Sequence, residues 1–208
     1  MTPIKRITKS ELRAITADYH RLLPGWQQIS ADAVARADGP LMQCIGFECL
    51  RGGDYRPMNF VRVLVTPEKV TGFFHQLPQS WPLTLLPRQH AEYHRRMFEN
   101  LKREFRPPIT EGFDAWSMLD LCEKDAIPKS YEAYALAALN AYFGRDDRAR
   151  FWCTRFPELV DESGFPWDDS DQRRKAFLDL LVGWLHADEA KVRLGEILKD
   201  RRKKEGFD

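Results

Sequence analysis

The stretch LNAYFGRDDRARF, Leu139 to Phe151, can be laid on LVGWLHADEAKVR, Leu181 to Arg193, at a constant offset of 42 residues. Leu139 then falls on Leu181, Tyr142 on Trp184, Phe143 on Leu185 and Asp146 on Asp188. Each copy closes one apolar-striped helix and opens another across a tight polar turn. That is the pattern of stacked helical hairpins, an architecture suited to contact rather than chemistry.

The second copy is looser than the first. YFGRDDRA has a faint tetratricopeptide character, with Gly144 and Ala149 on either side of a turn, but His186 and Lys191 stand at the matching places. Solenoids generally need about three repeats. An ordinary four-helix arrangement accounts for the same pattern, and both readings stay open at this level.

From Ser130 onward the chain reads as helix throughout. Tyr131, Tyr134, Ala135, Ala138, Leu139 and Tyr142 line one helix, and its partner runs from Asp147 toward Phe156, with Pro157 as a kink or stop. Phe177, Leu180, Leu181, Trp184 and Leu185 stripe a third helix over 171–186. Ala190, Leu194, Ile197 and Leu198 stripe a fourth over 188–203. Asp146 or Asp147, and Asp188, suit the helix starts, where a carboxylate accepts first-turn amide hydrogens.

The first half is mixed. Ser10 is placed to cap a helix running to Leu23, which Pro24-Gly25 ends. Residues 41–49 and 58–65 read as two strands around RGGD (Arg51 to Asp54), with Val61, Val63 and Val65 on one face and Arg62 on the other. Gly52-Gly53 supplies the positive φ of a tight hairpin turn. One hairpin is marginal alone, so further strands near 26–36 or 70–76, or a covering helix, must complete it. Pro67, Pro78, Pro82 and Pro87 make the next stretch irregular. A helix then runs over 88–106 on the stripe His90, His94, Met97, Phe98, Leu101 and Phe105, stopped by Pro107-Pro108. A short helix near 114–124 precedes Pro128. The expected fold is therefore α+β: a small antiparallel hairpin or sheet with helices over 1–110, including the hairpin 41–65, then a helical region of two stacked hairpins over 111–208, packed with the first as one domain or separate from it.

The net charge of +1 hides an asymmetry. Residues 1–110 hold 16 Lys/Arg against 10 Asp/Glu, and residues 111–208 hold 16 against 21. A half at +6 joined to a half at −5 argues for faces of opposite potential and admits self-association. It does not suit a general nucleic-acid binder. No signal peptide is evident, and no apolar run approaches the roughly 18 residues of a membrane span. Cys44, Cys49, Cys122 and Cys153 lack metal-binding spacing and fit reduced thiols in the cytoplasm.

Three constellations are candidates for function. HAEYH places His90 and His94 on one helix face, where both can reach one metal. A third ligand must come from His75, His20 or a distant carboxylate, and a hydrogen-bonded core pair explains the pattern more simply. ELVDESGFPWDDSD, Glu158 to Asp171, carries six acids and no Lys or Arg. Its order is not that of a calcium loop. A solvated loop is the plain reading, and a docking surface of Asp161, Glu162, Asp168, Asp169 and Asp171 around Phe165 and Trp167 is the functional one. Arg95, Arg96, Lys102 and Arg103 offer phosphate contacts, although interleaved Glu makes that face read as a solvated one. No nucleophile motif is present, and no cofactor is expected. The function expected is protein–protein recognition without catalysis, with a toxin-neutralising immunity protein as the setting. A metal protein or hydrolase centred on His90 and His94, and a nucleic-acid-binding accessory protein, are the alternatives.

Overall fold

A computed structural model describes residues 6–68, 70–125 and 129–207. Pro128 lies outside them, as does the side chain of His75. The chain begins with α1 (Lys9–Arg21), then forms β1 (Gln27–Gln28), β2 (Ala33–Asp38), β3 (Leu41–Cys49), β4 (Tyr55–Val63) and β5 (Val70–Gln76). Six helices follow: α2 (Pro87–Glu104), α3 (Ala115–Asp125), α4 (Ser130–Tyr142), α5 (Asp146–Glu162), α6 (Asp169–His186) and α7 (Ala190–Glu205). The strands lie in sequence order, β1-β2-β3-β4-β5, an antiparallel meander in which Gln27 faces Ala35 and Gln28 faces Val34. The strands that the lone hairpin required are thus present on both sides of it. The fold is α+β with a helical C-terminal region.

Cα packing divides the chain into two compact units. The first comprises 1–38, 42–61 and 74–113, and the second 39–41, 62–73 and 114–208. In the first, Ile15 and Tyr19 of α1 and Leu23 just beyond its end share a buried core with Ile45, Phe47, Met97, Leu101 and Phe105. The start of α1 corrects the expectation for Ser10. Thr8 is the cap, because Glu11 stands three residues on and closes a reciprocal pair with it, the Glu11 amide donating to Thr8 Oγ1 at 3.2 Å and the Thr8 amide donating to Glu11 Oε2 at 2.9 Å. The hairpin turn needs one positive φ rather than two: Gly53 sits at 78° while Gly52 does not. β4 starts at Tyr55, ahead of the expected 58.

In the second unit α4 is the centre. Ala133 to Asn140 and Ala141 are all buried, so the helix has no water-facing side over more than two turns. It packs on α3, α5, α6 and α7. Its five alanines let those neighbours approach, and the larger side chains come from them: Phe156, Phe177, Leu181 and Leu194 are buried. Each such Leu or Phe contributes about 1.5–3 kcal/mol when fully removed from water.

α4–α5 and α6–α7 are the two helical hairpins, and their turns show where the repeat register lies. The Arg145 amide donates to Asn140 O at 2.8 Å and the Glu189 amide to Trp184 O at 2.8 Å, each closing a helix end through a left-handed residue. Those residues are Gly144, φ 72°, and Asp188, φ 57°. They stand 44 residues apart, so the structural equivalence is shifted by two from the sequence offset. The expected caps are corrected with it. Asp146 and Asp147 lie inside the first turn of α5, where they complement the helix dipole, and Asp188 terminates α6 instead of capping α7. α5 also runs on past Pro157 to Glu162. Phe156 and Val160 are buried on either side of the proline, and Arg155 reaches across it to Glu158 at 2.7 Å and Glu162 at 2.8 Å. Packing and this clamp offset the lost backbone bond.

Gly144→Ala should cost about 1 kcal/mol and Asp188→Gly should gain a similar amount, because a β-carbon disfavours the left-handed conformation. A β-carbon at Gly144 would meet no atom within 4 Å, so its effect is conformational alone. Chemical denaturation of the two variants measures both signs.

Candidate functional site

The acidic segment folds into three pieces: the last turn of α5, a connection over 163–168, and the first turn of α6. Most of its polar groups are bound within the chain. Glu162 accepts from Arg155. Asp161 Oδ1 accepts from Trp167 Nε1 at 2.8 Å, and the Trp167 ring stands edge-on to Phe156 with centroids 6.0 Å apart. Trp167 is therefore half-buried and anchors the connection to α5. Asp168 caps α6: its Oδ1 accepts the Asp171 amide at 2.8 Å, and Asp171 bonds back to the Asp168 amide. That amide bond holds the Asp168 carboxyl below the usual carboxylate range. Asp171 also pairs with Arg174 at 3.3 Å.

Phe165 and Asp169 stand apart from these tasks. Phe165 is 78% exposed, the largest exposure among the large apolar side chains of the described residues. Asp169 is exposed at the first position of α6. The expected docking set thus separates into five residues that shape and brace the connection and two that face outward. Sequence reasoning placed all seven together because a carboxylate in a cap or clamp looks the same in one dimension as a carboxylate on a rim.

The histidine pair lies in the first unit and takes a different form from a ligand set. His90 is 7% exposed, and both ring nitrogens are engaged. Its Nε2–H donates to Asp18 Oδ2 at 2.9 Å, and the Tyr55 hydroxyl donates to its Nδ1 at 2.6 Å. The carboxylate can only accept, so it selects this tautomer of the neutral ring. His94 stacks on His90 with centroids 4.6 Å apart, its Nδ1–H donating to the His90 carbonyl at 2.8 Å. Stacked rings do not converge their lone pairs on one point. A metal at His90 would have to displace Asp18 or Tyr55, and no group of three His, Cys, Asp or Glu suited to a metal occurs among the described residues. Burial lowers the His90 pKa, against the opposing effect of its hydrogen bond to Asp18, and burial raises the Tyr55 phenol. The network ties α1, β4 and α2 together.

The basic candidates are dispersed along α2. Arg95 and Arg96 are exposed, with the Arg96 guanidinium 4.5 Å over the Trp81 ring. Lys102 pairs with Glu99 at 2.8 Å and Arg103 donates to Asn100. Cys153 is a buried thiol pushed up to about 11 by desolvation, the opposite of what a nucleophile needs. Sequence reasoning missed a second buried network. Gln43 Nε2 donates to Asn59 Oδ1 at 3.1 Å and Pro107 O at 2.8 Å, while Asn59 Nδ2 donates to Arg106 O at 2.8 Å. Two amides inside apolar strands were the available signal, since a buried amide requires partners. They clamp the chain leaving α2 onto the sheet.

Comparison with known protein families, with characterised proteins and with solved structures finds no match to this chain.

Above the ordinary histidine pKa of about 6.5 His90 is neutral in both folded and unfolded chains. As pH falls below that value the unfolded chain takes up a proton that the buried ring resists, so this contribution to stability declines toward pH 5. Urea melts between pH 7.5 and 5 should show the decline, and His90→Gln should flatten it. Tyr55→Phe removes the donor to Nδ1 and should cost about 1–3 kcal/mol at neutral pH. At the acidic connection, Asp168→Ala should lower the thermal midpoint through loss of the cap, whereas Asp169→Ala should lower it less, losing only a charge that complements the helix dipole. Scanning calorimetry of the two variants compares them directly.

Proposed function

We propose that this chain is a non-catalytic protein-recognition module that docks through its α5–α6 connection, acting as a small binding inhibitor in the manner of a toxin-neutralising immunity protein. The observation that carries the reading is Phe165, an aromatic ring held in water at 78% exposure on a braced connection. Trp167 ties that connection to α5 and Asp168 ties it to α6, so little loop entropy remains to be lost on binding. An aromatic anchor within a charged rim is a common interface composition.

The rim sets the partner's chemistry. Arg155 pairs with Glu158 and Glu162 and Arg174 with Asp171, so Asp161, Asp168 and Asp169 carry the rim's negative charge, which favours a basic surface, and opposite potentials speed encounter. A basic catalytic cleft has that character, which is the physical content of the inhibitor reading. A reducing cytoplasmic setting suits Cys44, Cys122 and Cys153, which are buried as thiols. No helix of the described residues is long and apolar enough to cross a membrane.

The experiment is affinity capture from the source cell with the full chain, followed by titration of the partner recovered. Phe165→Ala should weaken the complex about thirtyfold or more, the threshold of a hot spot. Asp169→Lys should slow association and reduce its salt dependence. Asp169 is the sound probe of charge, since altering Asp168 also removes a helix cap. Full affinity in a Phe165→Ala, Asp169→Lys double variant would place the interface elsewhere.

A further inference from the structure

Two aromatic clusters stand in water apart from the α5–α6 connection, one in each unit. In the first, Trp81 is 57% and Leu83 49% exposed. Their loop is pinned: Asn100 Nδ2 donates to Trp81 O at 2.9 Å, and the Gln79 amide donates to Glu104 at 2.7 Å. Tyr93 meets the Trp81 ring edge-on at 5.4 Å, beside the Arg96 guanidinium that lies over it. The supporting helix α2 carries five Lys/Arg against three Glu.

In the second unit Trp116 is 44% and Phe151 49% exposed. Arg145 lies 4.4 Å over the Trp116 ring and Arg148 lies 5.1 Å over Phe151. Asp120 holds Arg145 at 2.7 Å, and Glu123 reaches Arg148 at 3.4 Å. Glu123 is itself fixed by the Trp152 indole at 2.8 Å. With Asp146 and Asp147 beside them, acids outnumber arginines here.

Scattered exposed aromatics need no explanation. These are different: each cluster joins Trp and Arg, the residues that dominate interface energetics, and holds them rigid. Their charges are opposite, and so are those of the halves that carry them, +6 over 1–110 and −5 over 111–208. Hot spots also tend to face hot spots.

We propose that the two clusters are complementary halves of a self-association surface, the basic Trp81 cluster of one copy receiving the acidic Trp116 cluster of another. Every copy carries one of each. Each contact joins unlike patches, so association either closes as a two-fold dimer through two reciprocal contacts or continues head to tail as a ring or a longer chain. Phe165 belongs to neither cluster, so recognition of a foreign protein and self-association stand or fall separately.

Sedimentation velocity of the full chain from about 1 to about 100 μM at low salt tests it. The weight-average mass should rise with concentration and fall back as salt screens the contact. Trp81→Ala and Trp116→Ala should each weaken association about thirtyfold or more, leaving either variant monomeric alone. Mixed together they should form a 1:1 dimer and nothing larger, because one variant keeps the acidic face and the other the basic face. Arg96→Glu and Asp147→Lys form a second pair, each expected to be monomeric alone and to associate when mixed. Circular dichroism confirms that each variant is folded. A wild-type chain monomeric throughout overturns the proposal. So does a single variant that associates like wild type, or a mixture of folded variants that stays monomeric.

Discussion

The second unit depends on one constraint, the burial of α4 on every side from Ala133 to Ala141. A helix without a polar face cannot end at water on any side, so it must be covered from every direction. α3, α5, α6 and α7 do the covering. Because α4 is rich in alanine, each neighbour supplies the bulk, through Trp152 and Phe156 from α5, Phe177 and Leu181 from α6, and Leu194 from α7. This places α5 and α6 as successive walls of one core and forces a connection between them at the surface. It also explains why Pro157 does not stop α5: the turn that contains it is held by burial of Phe156 and Val160.

In the first unit the equivalent role falls to buried polar groups. Gln43 and Asn59 are fully buried, and their amides are consumed by each other and by carbonyls of the segment leaving α2. His90, Asp18 and Tyr55 form a second satisfied network. Such networks are costly when incomplete, and their geometry is correspondingly specific. Residues of catalytic type are therefore spent here on joining elements. The groups left facing water include aromatic and charged ones on braced surfaces, Phe165 and Trp81 among them.

How much could be read in one dimension varied with the range of the interaction. Helices α2 to α7 were legible because apolar spacing and turn residues act over four or five positions. The strand pair was legible from β-branched alternation and the glycines of RGGD. Errors clustered at termini. Ser10 lost to Thr8 as a cap because the reciprocal partner was Glu11, and Asp188 became a terminator because the left-handed residue of the second turn falls two positions later than the alignment suggested. The acidic segment was legible as a unit. Its division into brace and rim was not, since Arg155 and Trp167 reveal their partners only when the turns are in place.

The sequence by itself determined the kinds of element, their order and the charge polarity of the chain, because periodicity and composition are local or summed properties. Only the tertiary structure decided which polar side chains are occupied. His90 and Asp18 are 72 residues apart, and Gln43 and Pro107 are 64 apart. No local rule links such positions. A hydrogen bond worth about 1 kcal/mol forms between them only after burial of the surrounding apolar surface has brought them together.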